Sequence, residues 1–364
     1  MAAILYIGSA EGTSLARYEA IQRLGHTAFM LDPYECLPAN NLIRRWCFKT
    51  GAAGFEHVIA TRIAARIPAE PFDLVVVDNG ELVAPAALMA IAQRGKPIVN
   101  LNQDNPYSGR DGRRFRLFLK SLPYYRVLYA PRYSSVVAGV ELGAQAAVQF
   151  WFAADDCLKD PASYPTALEM APFRAKVAFT GTWMEDRGEF IEYLLSEGID
   201  VMVNGPRWDR YKGYERIKSR VRLGHLDQKT FFAAIAAADI SIGLLSKGNL
   251  DLHTTRSMEI PALRSLLVAE RTEDHEVLYE DGREAFFWSD PAECARVLKA
   301  LVADPVAVER ARHAGRARAV ANNHFNEPLM KFVIEDALHK TRSDHRRATT
   351  SPPDKVMLPE LATG

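Results

Sequence analysis

The stretch Lys176-Val-Ala-Phe-Thr-Gly-Thr-Trp-Met-Glu-Asp-Arg187 decides the fold. A short apolar run reaches a turn of small residues and passes into a polar segment with helical spacing, the local pattern of a strand–turn–helix unit. The same unit recurs on both sides of it. Upstream, strands are predicted at 2–7, 27–31, 72–78, 98–102, 126–130 and 147–151, with helical patterns between them such as 14–24 and 84–94. Ser14 is the expected N-cap of the first helix, and Gly25 stands where a C′ glycine belongs. Downstream, strands are predicted at 176–180, 200–204, 220–223, 239–244, 265–268 and 285–288. Helices are predicted at 290–303, 305–322 and 327–339.

Short apolar strands alternating with helices imply parallel sheets covered on both faces. The expected architecture is α/β, with two Rossmann-like doubly wound domains facing a cleft. An acceptor-side domain is predicted over 1–155. Pro161, Pro165 and Pro172 mark a linker over 156–172, and a donor domain follows over 173–325. The last helix, 326–340, is expected to cross back to the first domain, and the Thr-, Ser- and Pro-rich tail 341–364 to be disordered. Ligands of such sheets bind at the carboxyl ends of the strands.

Composition narrows the function. The 364 residues carry 45 Lys+Arg and 45 Asp+Glu, a balance that excludes a general nucleic-acid binder. The four cysteines are scattered, which argues against a disulfide framework or zinc site and for a reducing compartment. The longest apolar stretch, 231–245, holds Asp239 and is too short to span a membrane, and the N-terminus lacks the basic region of a signal peptide. A cytoplasmic protein is expected. Neither half carries G-x-G-x-x-G, which disfavours a nicotinamide oxidoreductase.

Two stretches suit a nucleotide diphosphate. In 179–187, Gly181 and Thr182 let a phosphate approach backbone N–H groups at a helix start, and Arg187 supplies a cation; an ordinary βα turn with a surface arginine is the other reading. In 251–259, Asp251 and Glu259 are spaced D-x7-E, and an ionised acid there accepts both hydroxyls of a ribose; a capping or surface glutamate is the other reading of Glu259. In the first half, Asn100-Leu-Asn-Gln-Asp-Asn-Pro106 closes a strand. Asp104 is the candidate base or acceptor-binding acid, set against an Asx turn before Pro106. Gly8 in 8–13 and Asn102 are placed on the acceptor side. The runs 110–116 and 207–222 are basic, and each reads either as a solvated face or as a patch for a phosphorylated acceptor or an anionic membrane's inner face.

Residues 176–335 resemble the C-terminal domain of the spore maturation protein CgeB-like glycosyltransferases, within the GT-B enzymes. The resemblance rests on FTGTWMEDR, NGPRW, LGHLDQKTFFAAIAAADISIGLL, DLHTTRSMEIPA, EDGREAFFWSD and NNHF in that order, and more loosely on GSAEGT, FDLVVVDNG and NLNQDNP in the first half. It implies transfer of a sugar from a nucleotide diphosphate-sugar co-substrate, with no cofactor and no metal. Glu259 matches the second acid of the E-x7-E motif, which holds the donor ribose. Asp251 stands at the first acid's position beside the donor sugar, where the motif has Glu. Gly181 and Arg187 match a glycine and a basic residue that cradle the diphosphate. Arg256 matches an arginine of the subgroup, in a diphosphate or structural role, and His225 falls in a loop that lines the nucleobase pocket or packs locally. A sugar-nucleotide epimerase on the same scaffold and a non-catalytic nucleotide-sugar-binding protein are the alternatives. Donor base, acceptor, stereochemistry and oligomeric state are not legible.

Overall fold

The structure is a computed structural model and describes residues 1–339. The tail 341–364 and residue 340 of the last expected helix lie outside the described residues. The chain forms two compact units. The first comprises Met1–Phe152, Lys247–Leu250 and the chain from Phe325 on; the second comprises Ala153–Ser246 and Asp251–His324.

The first unit holds a six-stranded parallel sheet of β1 (Ala3–Ile7), β2 (Thr27–Leu31), β3 (Leu74–Asp78), β4 (Ile98–Leu101), β5 (Val127–Ala130) and β6 (Ala147–Gln149). Their order is β2-β1-β3-β4-β5-β6. β3 reads LVVVD because every position in it is buried, as a strand covered on both faces requires. The chain reverses its direction across the sheet between β1 and β3, and this switch point opens a crevice at their carboxyl ends. Helix Asn326–His339 packs on helix Gly12–Arg23 within this unit, and Asp336 accepts the Tyr129 hydroxyl at 2.7 Å.

The second unit repeats the plan with β7 (Ala175–Thr180), β8 (Val201–Gly205), β9 (Val221–Leu223), β10 (Ala238–Gly243), β11 (Leu266–Glu270) and β12 (Phe286–Trp288). The order β12-β11-β10-β7-β8-β9 puts its switch point between β7 and β10. Each unit has its own apolar core, around β3 and around β8 and β10 respectively.

One local expectation is corrected. The first helix starts at Gly12, not at Ser14. Its N-cap is Glu11, and the Ser14 hydroxyl lies 3.3 Å from that of Tyr6. The stretch 156–172, expected as a linker, holds short helical turns. Pro161 and Pro172 open short 3-10 turns, and Thr166 with Glu169 forms a capping box. Proline is suited to the first turn of a helix, where its missing N–H costs nothing, so these prolines start structure rather than interrupt it.

Candidate functional site

In the second unit the site is built at the carboxyl ends of β7 and β10. β7 runs into Gly181, whose N–H donates to the Asn204 carbonyl at 2.9 Å. The Gly181 carbonyl accepts the Trp208 indole N–H at 3.0 Å, and buried Trp208 packs edge-on against Phe179. Gly205 has φ +149, and a Cβ there would stand 2.2 Å from the Gly181 oxygen. The NGPRW motif therefore clamps the FTG turn, with a backbone approach only glycine permits.

Arg187 stands in the first turn of helix Glu185–Ser196 and is buried. Its guanidinium donates to the carbonyls of Thr182 at 2.9 Å, Leu244 at 3.2 Å and Leu245 at 3.3 Å, and lies 5.3 Å from the Phe179 ring centre. It ties the β7 turn to the end of β10. Arg187, expected beside the diphosphate, donates to these backbone oxygens and holds the turn that carries Gly181 and Thr182. The same helix start already has Glu185 and Asp186 beside it.

Helix Thr255–Ala262 carries the other half. Its N-cap Thr254 accepts from the Arg256 N–H, and Ser257 reciprocates to the Thr254 N–H. Arg256 and Glu259, one helical turn apart, form an ion pair. Glu259 is buried and Arg256 half-buried, its guanidinium 4.1 Å from the Phe231 ring centre. Burial first, and then the neighbouring Arg187 guanidinium, depress the Arg256 pKa. The two guanidiniums are near enough to repel one another, an arrangement that favours an added anion. Asp251 is buried just before this helix. His225 is exposed on the loop between β9 and helix Gln228–Ala236.

Sequence reasoning missed the layer beneath. His253 pairs with Asp274 at 2.7 Å. The Ser257 hydroxyl donates to His275 Nε2 at 2.8 Å, while His275 Nδ1 donates to the Glu270 carbonyl at 2.6 Å. The Tyr279 hydroxyl donates to the Ser257 carbonyl. Burial, the main cause, pushes the His275 ring down to about 4. These groups fix the start of helix Thr255–Ala262, and only their separation in sequence hid them.

In the first unit, a cavity of about 190 Å³ opens at the β1/β3 switch point, lined in part by Ser9, Thr13, Tyr34, Asn79, Glu81 and Gln103. Under it, Arg17 donates to both oxygens of Asp78 at 3.0 Å and to Gln103 at 2.8 Å, and Tyr6 donates to Asp78. Glu81 accepts from Tyr34 and Arg114. Asp104 sits beside this cavity, 3.4 Å from the Asn79 amide and 3.8 Å from Arg114. Its carboxyl is raised above the usual aspartate range, chiefly by burial, against the pull of Arg114.

Asn102 is buried, donates to the Asn79 carbonyl at 3.1 Å and accepts the Asp104 N–H at 2.9 Å. It fastens the β3 and β4 loops and forms an Asx turn of its own. Gly8 closes β1 where a Cβ would meet Ser14 Oγ at 2.5 Å. The signal for Asp78 and Arg17 was present, in an acid ending an apolar strand and one arginine on a helix's inner face.

Among the described residues no group of three or more His, Cys, Asp or Glu is gathered as a metal site needs. No helix among them is long and apolar enough to cross a membrane.

Residues 187–334 match the family model described as glycosyl transferase-like. No curated protein matches the sequence. Solved structures share the fold at low identity. The Anabaena protein HepE in complex with UDP-glucose aligns with TM-score 0.64 at 11% identity, over 92% of this chain and 100% of its own. Sucrose-phosphate synthase from Thermosynechococcus elongatus aligns with TM-score 0.62 at 14% identity, over 92% and 98%. The trehalose 6-phosphate synthase of Burkholderia multivorans gives 0.60 at 14%, over 96% and 100%. The fold is that of the GT-B glycosyltransferases: two six-stranded parallel sheets with flanking helices.

Proposed function

We propose that the protein is a glycosyltransferase that moves a sugar from a nucleotide diphosphate-sugar, with UDP-glucose the first donor to try, to an acceptor hydroxyl. The observation that carries the reading is the Arg256–Glu259 pair opening helix Thr255–Ala262, inside the segment that matches the glycosyl transferase-like model. In this reading the diphosphate takes Arg256 and the helix's first N–H groups, and Glu259, released from Arg256, accepts the two ribose hydroxyls. Gly181 and Thr182 face the diphosphate on the turn that Arg187 holds, Asp251 lies toward the donor sugar, and His225 lies toward the base. Charge on the leaving diphosphate is met by arginine and helix N–H groups without a metal. Asp104, in the first unit, is the base that takes the acceptor's proton. The ordered motifs support placing the chain with the CgeB-like group. The four scattered cysteines, three of them buried, support a reducing, cytoplasmic setting.

The test is incubation with UDP-glucose and EDTA, without acceptor. A transferase releases UDP and glucose slowly, and Glu259→Ala abolishes both this and most UDP affinity in calorimetry. An isomerised donor with no UDP release makes the chain an epimerase. Tight binding with no turnover makes it a binding protein, and wild-type affinity in Glu259→Ala removes the site assignment.

A further inference from the structure

Helix Asn41–Thr50 (NLIRRWCFKT) in the first unit has a surface that the donor-site reading leaves unused. Its inner side is narrow: Cys47 is buried and Ile43 packs against the core. The remainder faces out. Leu42 is 77% exposed, Trp46 53% and Phe48 50%, and Arg44, Arg45 and Lys49 are exposed among them. The helix contains no acidic residue. The Trp46 indole N–H donates to the Ala53 carbonyl at 2.9 Å, which holds the ring at the surface rather than letting it fold inward.

The basic run 110–116 is drawn against this helix. Gly51, its C-cap at φ +59, lies so close that a Cβ would stand 2.4 Å from the Arg113 carbonyl. The Arg114 guanidinium lies 4.6 Å from the Phe48 ring centre. Arg114 and Arg116 are engaged by Glu81 and Glu56, while Arg113 is exposed beside the helix. The other basic run, 207–222, is different in kind. There Arg216, Lys218 and Arg220 pair with Glu192, Glu215 and Asp200, and no large apolar side chain within the run is exposed among its remaining cations.

From this we propose that helix Asn41–Thr50 docks the protein on a bilayer surface carrying anionic phospholipid. Leu42, Trp46 and Phe48 enter the interfacial region, and Arg44, Arg45, Lys49 and Arg113 face the lipid phosphates. The chemistry selects the occupant. Lysine is depleted from the cores of protein interfaces, whereas interleaved Trp, Leu and Phe with Arg and Lys and no acid match an interfacial helix on a negative leaflet. At ten residues the helix lies along the surface and does not cross it. The proposal is independent of the donor-site reading.

Co-sedimentation of the full chain with phosphatidylcholine vesicles, with and without phosphatidylglycerol, tests it. Binding is expected only with phosphatidylglycerol and is expected to weaken with salt. Arg44→Glu with Arg45→Glu, and separately Leu42→Ser with Trp46→Ser, should each weaken it by about tenfold or more. An unchanged circular dichroism spectrum and a cooperative thermal transition show that the variants are folded. Trp46→Phe should keep vesicle binding but lose tryptophan quenching by brominated phosphatidylglycerol. Wild-type protein that stays in the supernatant overturns the proposal, as does self-association through this face without vesicle binding. Equal binding by the charge-reversed variant overturns it too.

Discussion

Asp104 carries the clearest consequence of a single residue's surroundings. Burial raises its carboxyl above the ordinary range, so it takes up a proton at a higher pH than a surface aspartate. A base must be ionised, so kcat/KM should fall as pH drops through this raised value. The acidic limb of the profile is expected above the usual aspartate range, and Asp104→Asn should lower the rate by 10² or more, as loss of a general base does. A profile flat through the acidic range, or full activity in Asp104→Asn, returns Asp104 to the Asx-turn role its backbone already fills. Arg187 teaches the opposite lesson. Its sequence position suggested a ligand; in the fold three carbonyls accept from its guanidinium, a contact that ties two strand ends together.

At the scale of elements, two supports of the donor turn can be tested. Gly205→Ala places a methyl against the Gly181 oxygen at a φ that side chains avoid. Chemical denaturation should show a loss of about 2 kcal/mol, in the range of other overpacking and backbone-strain substitutions. Helix Thr255–Ala262 is pinned by neutral His275, which accepts from Ser257. The folded ring titrates near 4 against about 6.5 when unfolded, so the unfolded chain binds the proton first. Stability from this group is intact above about pH 6.5, falls as pH drops toward 4, and has lost on the order of 3 kcal/mol below that. His324, also pushed down to about 4 by burial, adds to the same window. Urea unfolding at pH 7 and pH 5 should show this loss, and His275→Gln should reduce the difference.

On the scale of the whole molecule, two cores predict a local response to donor. In hydrogen exchange, UDP should protect peptides around Gly181 and Thr255–Ala262 in the second unit and leave the β3 loop at Asn79 unchanged. Protection confined to the first unit would falsify the assignment of donor binding to the second. All twelve strands lie within a few residues of their predicted places, because strands buried on both faces read as unbroken apolar runs bounded by turns. The helix Asn41–Thr50 went unread, because its exposed Leu42, Trp46 and Phe48 blur the apolar face that marks a helix in sequence. Among candidate site residues, Glu259 and Arg256 were singled out from a local motif, and the fold pairs them one turn apart on one helix. The partners of Asn102 and Arg187, the His253–Asp274 and Ser257–His275 pairs and the Arg17–Asp78 pair were not. Periodicity and punctuation, which act over a few residues, determined the strands and the alternation of strand and helix. Which polar side chains are consumed in holding loops, and which are left to meet a ligand, was decided only by tertiary structure, because a hydrogen bond joins neighbours in space across any distance in sequence.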